Sequence, residues 1–209
     1  MNEQPLSFRY NTLKIFLHDE VYDPAEDTFL LLKTIDPRKK DTVLEIGTGT
    51  GIIALSCAQK GADVICSDIN PYAVTLTQKN IMTNKRRING SITVRKGSLF
   101  DVVEPQELFS LIIFNPPYLP TTQDEYVGGS GWFDKAVSGG RTGLQTTIQF
   151  IKRLPEYLTK NGRAFTAFSS KSPRKMFDDT IEKNHLWHSI VSTQSFTDET
   201  LEIHRIIKK

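Results

Sequence analysis

The sequence predicts an α/β fold: a doubly wound, Rossmann-like, seven-stranded and mainly parallel sheet with helices on both faces and one antiparallel strand near the C-terminus. Three observations carry this expectation. Short apolar runs alternate with longer amphipathic segments along the chain. One run, residues 42–46, ends in Gly47-Thr48-Gly49-Thr50-Gly51 and passes straight into the helical pattern IIALSCAQK. Another, residues 111–114, stops abruptly at Asn115-Pro116-Pro117-Tyr118, as a buried strand does when its tip meets a rigid turn.

At 209 residues the chain is long enough to bury a full core. Residues 23–209 are expected to form a single domain, with residues 1–22 as an extension packed on it. Apolar content of 38% and charged content of 24% are ordinary for a soluble protein. No run approaches the ~18 apolar residues of a membrane span. The opening residues lack a signal-peptide pattern, so a cytoplasmic location is expected. Cys57 and Cys66 have no metal-ligand neighbours at useful spacing, so no metal site is expected and both read as buried thiols. A net charge of +2 is too small to announce nucleic-acid binding. The basic clusters at 38–40, 85–87 and 171–175 read as solvated faces.

Residues 6–22 suit a short strand or hairpin. In Tyr22-Asp23-Pro24-Ala25-Glu26-Asp27-Thr28, Asp23 is placed to cap a helix with Pro24 at its first position and Glu26 at its third. That reading leaves Asp27 and Thr28 unexplained. A hydroxyl in a first helical turn suits the border of a ligand pocket. Residues 36–41 form a turn before the first sheet strand. Gly61 ends the helix after the glycine loop. Residues 62–67 form the next strand, with Asp68 at its tip. Asn70-Pro71 caps the following helix. Residues 91–95 make a third strand, tipped by Gly97, Ser98 and Leu99. Residues 119–143 read as a long glycine-rich loop, with Trp132, Phe133, Gly139, Gly140 and Arg141 in a substrate-side lid. A helix over 144–158 is expected to bend or end at Pro155. A strand follows Gly162, and Ser172-Pro173 starts a helix reaching about residue 184. Residues 186–194 and 199–207 form a closing antiparallel pair.

The chemistry gathers at the strand tips. The glycines let the backbone approach a ligand closely, and Asp68 lies 23 residues after Glu45, near the ~20 of a ribose-binding acid. A dinucleotide site normally reads G-x-G-x-x-G, whereas position 52 is Ile52. Glu45 beside the loop would repel a pyrophosphate and suits a cationic ligand without phosphate. S-adenosylmethionine fits: it has a ribose, an ammonium and a sulfonium. At 115–118, two prolines remove two donors and leave carbonyl acceptors. Asn115 adds another acceptor and Tyr118 an aromatic face. This set suits a planar group bearing an NH2, either an amide or an exocyclic base amine.

LEIGTGTG, Asp68 and NPPY together resemble the class I S-adenosylmethionine-dependent methyltransferases. VYDPAEDTFLLL, SDINP and GGRTG narrow the resemblance to the HemK-type protein glutamine methyltransferases, in their short archaeal and eukaryotic branch. It covers nearly the whole chain from Tyr22 onward. It implies N-methylation of the glutamine in the Gly-Gly-Gln loop of a class I translation termination factor, with S-adenosylhomocysteine as by-product. It implies that Glu45, Gly47 and Gly49, with Thr28 nearby, line the methionine part of the cofactor. Asp68 would hold the ribose, and Ser98 and Leu99 would meet the adenine. Asn115 would serve cofactor and substrate alike, Asn115 and the Pro116 carbonyl would grip the target amide with Pro117 alongside, and Tyr118 would pack on its plane. The family more often has Asp at the position of Ser98, so the adenine amine would meet a weaker acceptor. Bacterial members carry an extra N-terminal helical domain, which is not expected here. The short branch implies a small zinc-binding activator subunit as heterodimer partner. The competing readings are a nucleic-acid amino-methyltransferase, a lysine methyltransferase and a cofactor-binding scaffold.

Overall fold

A computed structural model describes residues 6–121 and 131–209. The chain opens with an antiparallel hairpin, β1 (Ser7–Tyr10) and β2 (Leu13–Phe16). Helix α1 (Glu26–Thr34) follows, then β3 (Thr42–Ile46), α2 (Ile52–Gln59), β4 (Asp63–Asp68), α3 (Pro71–Asn84) and β5 (Ser91–Lys96). Next come β6 (Phe109–Phe114), the short helix α4 (Trp132–Val137), α5 (Gln145–Tyr157) and β7 (Leu158–Ser169). The chain closes with α6 (Arg174–Lys183), β8 (Leu186–Ser195) and β9 (Thr200–Lys208).

Seven strands form the main sheet in the order β5-β4-β3-β6-β7-β9-β8. All neighbours are parallel except those of β9, which pairs antiparallel with β7 and with β8. This is the doubly wound sheet with one antiparallel strand that the sequence predicts. The central strand β6 is apolar throughout its buried part because both its faces are covered. Leu111 and Ile113 join the core beneath α1 and α2. Ile112 and Phe114 join the opposite core with Phe150, Leu154 and Phe177 from α5 and α6.

The hairpin is docked by two buried asparagines of α3. Asn80 accepts the Phe16 N–H at 2.9 Å and donates to the Phe16 carbonyl at 3.1 Å. Asn84 does the same for Lys14, at 2.9 and 2.8 Å. Each amide thereby satisfies one backbone edge of β2 that the two-stranded sheet leaves open.

Several local expectations are corrected. Helix α1 begins at Glu26 behind Ala25, with no side-chain cap, so Asp23 does not cap it. Within the first turn of α1, Asp27 accepts the Thr28 N–H at 2.6 Å. The 119–143 segment is not all loop, since α4 lies within it; its residues 122–130 fall outside the described set. Pro155 does not end α5, which runs two residues further to Tyr157. Strand β7 starts at Leu158 rather than after Gly162, because a register shift between Phe109 and Leu111 lets residues 159–162 bulge out of the ladder. Helix α6 starts where Ser172-Pro173 placed it, with Pro173 at the N-cap. No helix among the described residues is long and apolar enough to cross a membrane.

Candidate active site

The C-terminal tips of β3, β4, β5 and β6 open on one cavity of about 410 Å³. Parallel strands all present their tips at the same edge, so loops far apart in sequence converge there. Thr28, Glu45, Gly47, Gly49, Asp68, Ser98 and Leu99 all line it, as do Asn115, Pro116, Pro117 and Tyr118. Trp132 and Lys135 of α4 close one side, with the Lys135 ammonium 4.3 Å from the Trp132 ring centre. Of the residues assigned to a lid, Trp132 reaches the cavity, whereas Phe133 sits against the Tyr22 ring at 6.1 Å.

The glycine loop is built by left-handed backbone. Gly47 and Gly49 have φ of +69° and +55°, a region costly for residues with a Cβ. This path aims the Gly49 N–H at Asp68 Oδ2, 2.9 Å away. Asp68 Oδ1 accepts the Asn70 N–H at 2.9 Å. Burial raises the Asp68 pKa above its ordinary value, against the pull of these backbone donors.

Glu45 lies at the end of β3, 2% exposed. Burial pushes its pKa up to about 8. Hydrogen bonds from the Thr48 hydroxyl at 2.8 Å and from the Ala54 N–H oppose that shift without reversing it. A buried carboxylate with no cation beside it binds a proton until a positive group arrives.

The third acid is Asp27, 3% exposed in the first turn of α1. Its Oδ1 accepts the N–H and hydroxyl of Thr28 at 2.6 and 3.2 Å. Its Oδ2 accepts the Asn115 amide at 3.0 Å and the Tyr118 hydroxyl at 3.3 Å. Burial, then the negative charge of Asp27, raises the Tyr118 pKa, so its hydroxyl stays protonated. The other end of the Asn115 side chain, Oδ1, is buried and has no hydrogen-bond partner among the described residues. Sequence reasoning left Asp27 without a role. Its signal was its place directly before Thr28 in a turn that capping did not explain.

Behind Tyr118 the Gly-Gly-Arg-Thr-Gly segment clamps the chain. The Gly139 N–H donates to the Leu119 carbonyl at 2.9 Å, and the Thr121 N–H to the Gly140 carbonyl at 3.1 Å. At Gly143, φ is +74° and an added Cβ would stand 2.4 Å from the Tyr118 carbonyl oxygen. Only glycine permits that approach to the Tyr118 backbone.

The donor set discriminates between ligands. Three carboxylates and one cation line the cavity among the described residues. This lining favours a ligand carrying positive charge over a pyrophosphate, because a cation lets Glu45 ionise and a pyrophosphate does not. S-adenosylmethionine fits it: the glycine loop admits close approach, Asp68 offers carboxylate oxygens, and Glu45 awaits a cation.

The family model for the methyltransferase small domain matches residues 10–138. A putative protein N5-glutamine methyltransferase of Methanocaldococcus jannaschii is 44% identical over 172 residues, 82% of each chain. The Homo sapiens methyltransferase HEMK2 is 35% identical, with 90% of each chain covered. Among solved structures, the E. cuniculi Mtq2–Trm112 complex, responsible for methylation of the eRF1 translation termination factor, matches with a TM-score of 0.69 at 21% identity. That match covers 91% of this chain and 99% of that one, and shows the shared fold. The chain belongs to the methyltransferase small-domain family, among the HemK-type protein glutamine methyltransferases.

Proposed function

We propose that this enzyme moves a methyl group from S-adenosylmethionine to the side-chain amide nitrogen of the glutamine in the Gly-Gly-Gln motif of a class I translation termination factor. The observation that carries the chemistry is Asn115 Oδ1, a buried acceptor at the tip of β6 with no partner among the described residues. A buried acceptor left unmatched costs about 1–3 kcal/mol, and an incoming N–H recovers that cost. The Pro116 carbonyl supplies the second acceptor, followed by a proline that has no N–H.

A carboxamide nitrogen is a poor nucleophile because its lone pair is shared with the carbonyl. Asn115 and Pro116 take one N–H each, and the Tyr118 ring packs on the amide plane. The nitrogen is thus held with its π face open to attack, and the acceptors stabilise the positive charge that develops on it. Its proton leaves after transfer, when the methylated nitrogen is strongly acidic. Glu45, Gly47 and Gly49 hold the methionine part of the cofactor, Asp68 the ribose, and Ser98 and Leu99 the adenine. Bound S-adenosylmethionine supplies the electrophilic methyl on sulfur.

The low count of cations around the cavity favours a protein amide over a flipped base. A partner subunit completes the assembly, as the Mtq2–Trm112 pairing in the structural neighbour supports; the resemblance implies that it is a small zinc-binding activator. The test is transfer of labelled methyl to the organism's own termination factor, with and without the activator. Label that vanishes when the motif glutamine becomes asparagine supports the reading. Label on bulk RNA or DNA, with none on the factor, replaces it with the nucleic-acid reading.

A further inference from the structure

We infer that Asp27 is a positioning residue for methyl transfer: its carboxylate holds the Asn115 amide the right way round, with Oδ1 toward the substrate. The inference rests on the proposed reading of Asn115 as the acceptor of a substrate N–H.

The two ends of a carboxamide are nearly identical in shape and opposite in hydrogen bonding. A half-turn about the last side-chain bond would put an NH2 where the substrate NH2 arrives. Two donors would then face one another, and the substrate amide would no longer be held for attack. Packing cannot prevent that flip; a partner of fixed polarity can. Asp27 Oδ2 lies 3.0 Å from Asn115 Nδ2 and can only accept, so it excludes the flipped amide. The same oxygen takes the Tyr118 hydroxyl at 3.3 Å, which ties the substrate-packing ring to the same point. Oδ1 is occupied by Thr28, which fixes the carboxylate in turn.

Burying a carboxylate is costly without a cation, and no salt bridge reaches Asp27 among the described residues. A helix-starting role would be served as well by an exposed carboxylate. The buried one is instead aimed across the chain, onto two residues of the Asn-Pro-Pro-Tyr corner.

The near-isosteric variant Asp27→Asn removes the fixed polarity. Its expected effect is a fall in kcat of about 10- to 100-fold, the scale of losing one preorganised polar group. Affinity for S-adenosylmethionine, read by calorimetry, should change less than about threefold. The exchange Asp27→Asn with Asn115→Asp restores an accept-only oxygen facing the substrate, now held from position 27 by an amide that donates to the carboxylate at position 115. Its kcat should exceed that of both single variants. A structural role alone would make the two changes multiply. Wild-type kcat in Asp27→Asn, or a double variant no better than the product of the singles, overturns the inference.

A second readout needs no substrate. In 15N NMR spectra, the Asn115 side-chain NH2, identified by its loss in Asn115→Ala, should shift when Asp27 becomes alanine. An unmoved resonance also overturns the inference. Absence of label on the termination factor with the wild-type enzyme instead overturns the proposed substrate, and the NMR result still decides the role of Asp27.

Discussion

Glu45 should make cofactor binding depend on pH, and the structure sets the size of the effect. In the free protein burial holds its pKa at about 8, against an ordinary 4.5. A cationic ligand beside it favours the ionised form, so binding expels the proton. Between those two values each pH unit can change affinity by up to about tenfold. The dissociation constant for S-adenosylmethionine should therefore fall about tenfold between about pH 6 and about pH 7. The ligand's own amine, with an ordinary pKa of about 7.7–8.0, stays protonated across that interval and contributes little. Calorimetry in buffers of different ionisation enthalpy should find close to one proton released per site. Glu45→Gln should bind more weakly at pH 7 and lose both the slope and the proton release. A variant with the wild-type slope would refute the reasoning. Linkage also runs through stability. A raised pKa contributes stability that is complete below about pH 4.5 and is lost as pH rises toward 8. At pH 7 the loss in the free protein is about 3 kcal/mol as an upper bound, so Glu45→Gln should raise Tm there and bound cofactor should erase much of the difference.

Three further outcomes follow from the geometry. Asn115→Ala should lower kcat about 100-fold or more while weakening cofactor binding much less; steady-state kinetics with unchanged turnover would contradict the role given to its buried oxygen. Gly143→Ala combines a left-handed φ of +74° with a contact 2.4 Å from the Tyr118 carbonyl, so it should displace Tyr118 and cut kcat more than it lowers Tm, with wild-type activity counting against the clamp. Arg163→Met should cost about 3–5 kcal/mol without changing kcat per folded molecule, because the buried Asp41–Arg163 pair at 2.8 Å sits at the N-terminal edge of the strands, away from the cavity. Burial alone would raise the Asp41 pKa, but Arg163 and Ser110 hold it below its ordinary value. Its contribution is therefore present above that value and lost as pH falls, and Arg163→Met should flatten the acid limb of a Tm–pH curve.

The strands and most helices were legible because their signals are local. β3 matched its apolar run residue for residue, and Asn70 caps α3 by accepting the Tyr72 N–H at 2.9 Å. The strand tips of an open sheet converge whatever the loops contain, so the lining residues could be named from the motifs alone. What escaped was set by contacts distant in sequence. Asp27 and Asn115 lie 88 residues apart, and nothing local says that the acid turns inward rather than capping α1. Helix α4 was hidden because its six residues follow a run of glycines that reads as loop. The early start of β7 was hidden because its bulge is a property of pairing with β6, not of its own residues.

The central claim is that Asn115 aims a glutamine amide at the methyl donor. Its most direct test is tandem mass spectrometry of the termination factor after incubation with S-adenosylmethionine, enzyme and activator. The account predicts a single methyl on the Gly-Gly-Gln glutamine with the wild-type chain, and almost none with Asn115→Ala at equal cofactor occupancy. Equal methylation by the two enzymes, or methyl on any other residue, would contradict it.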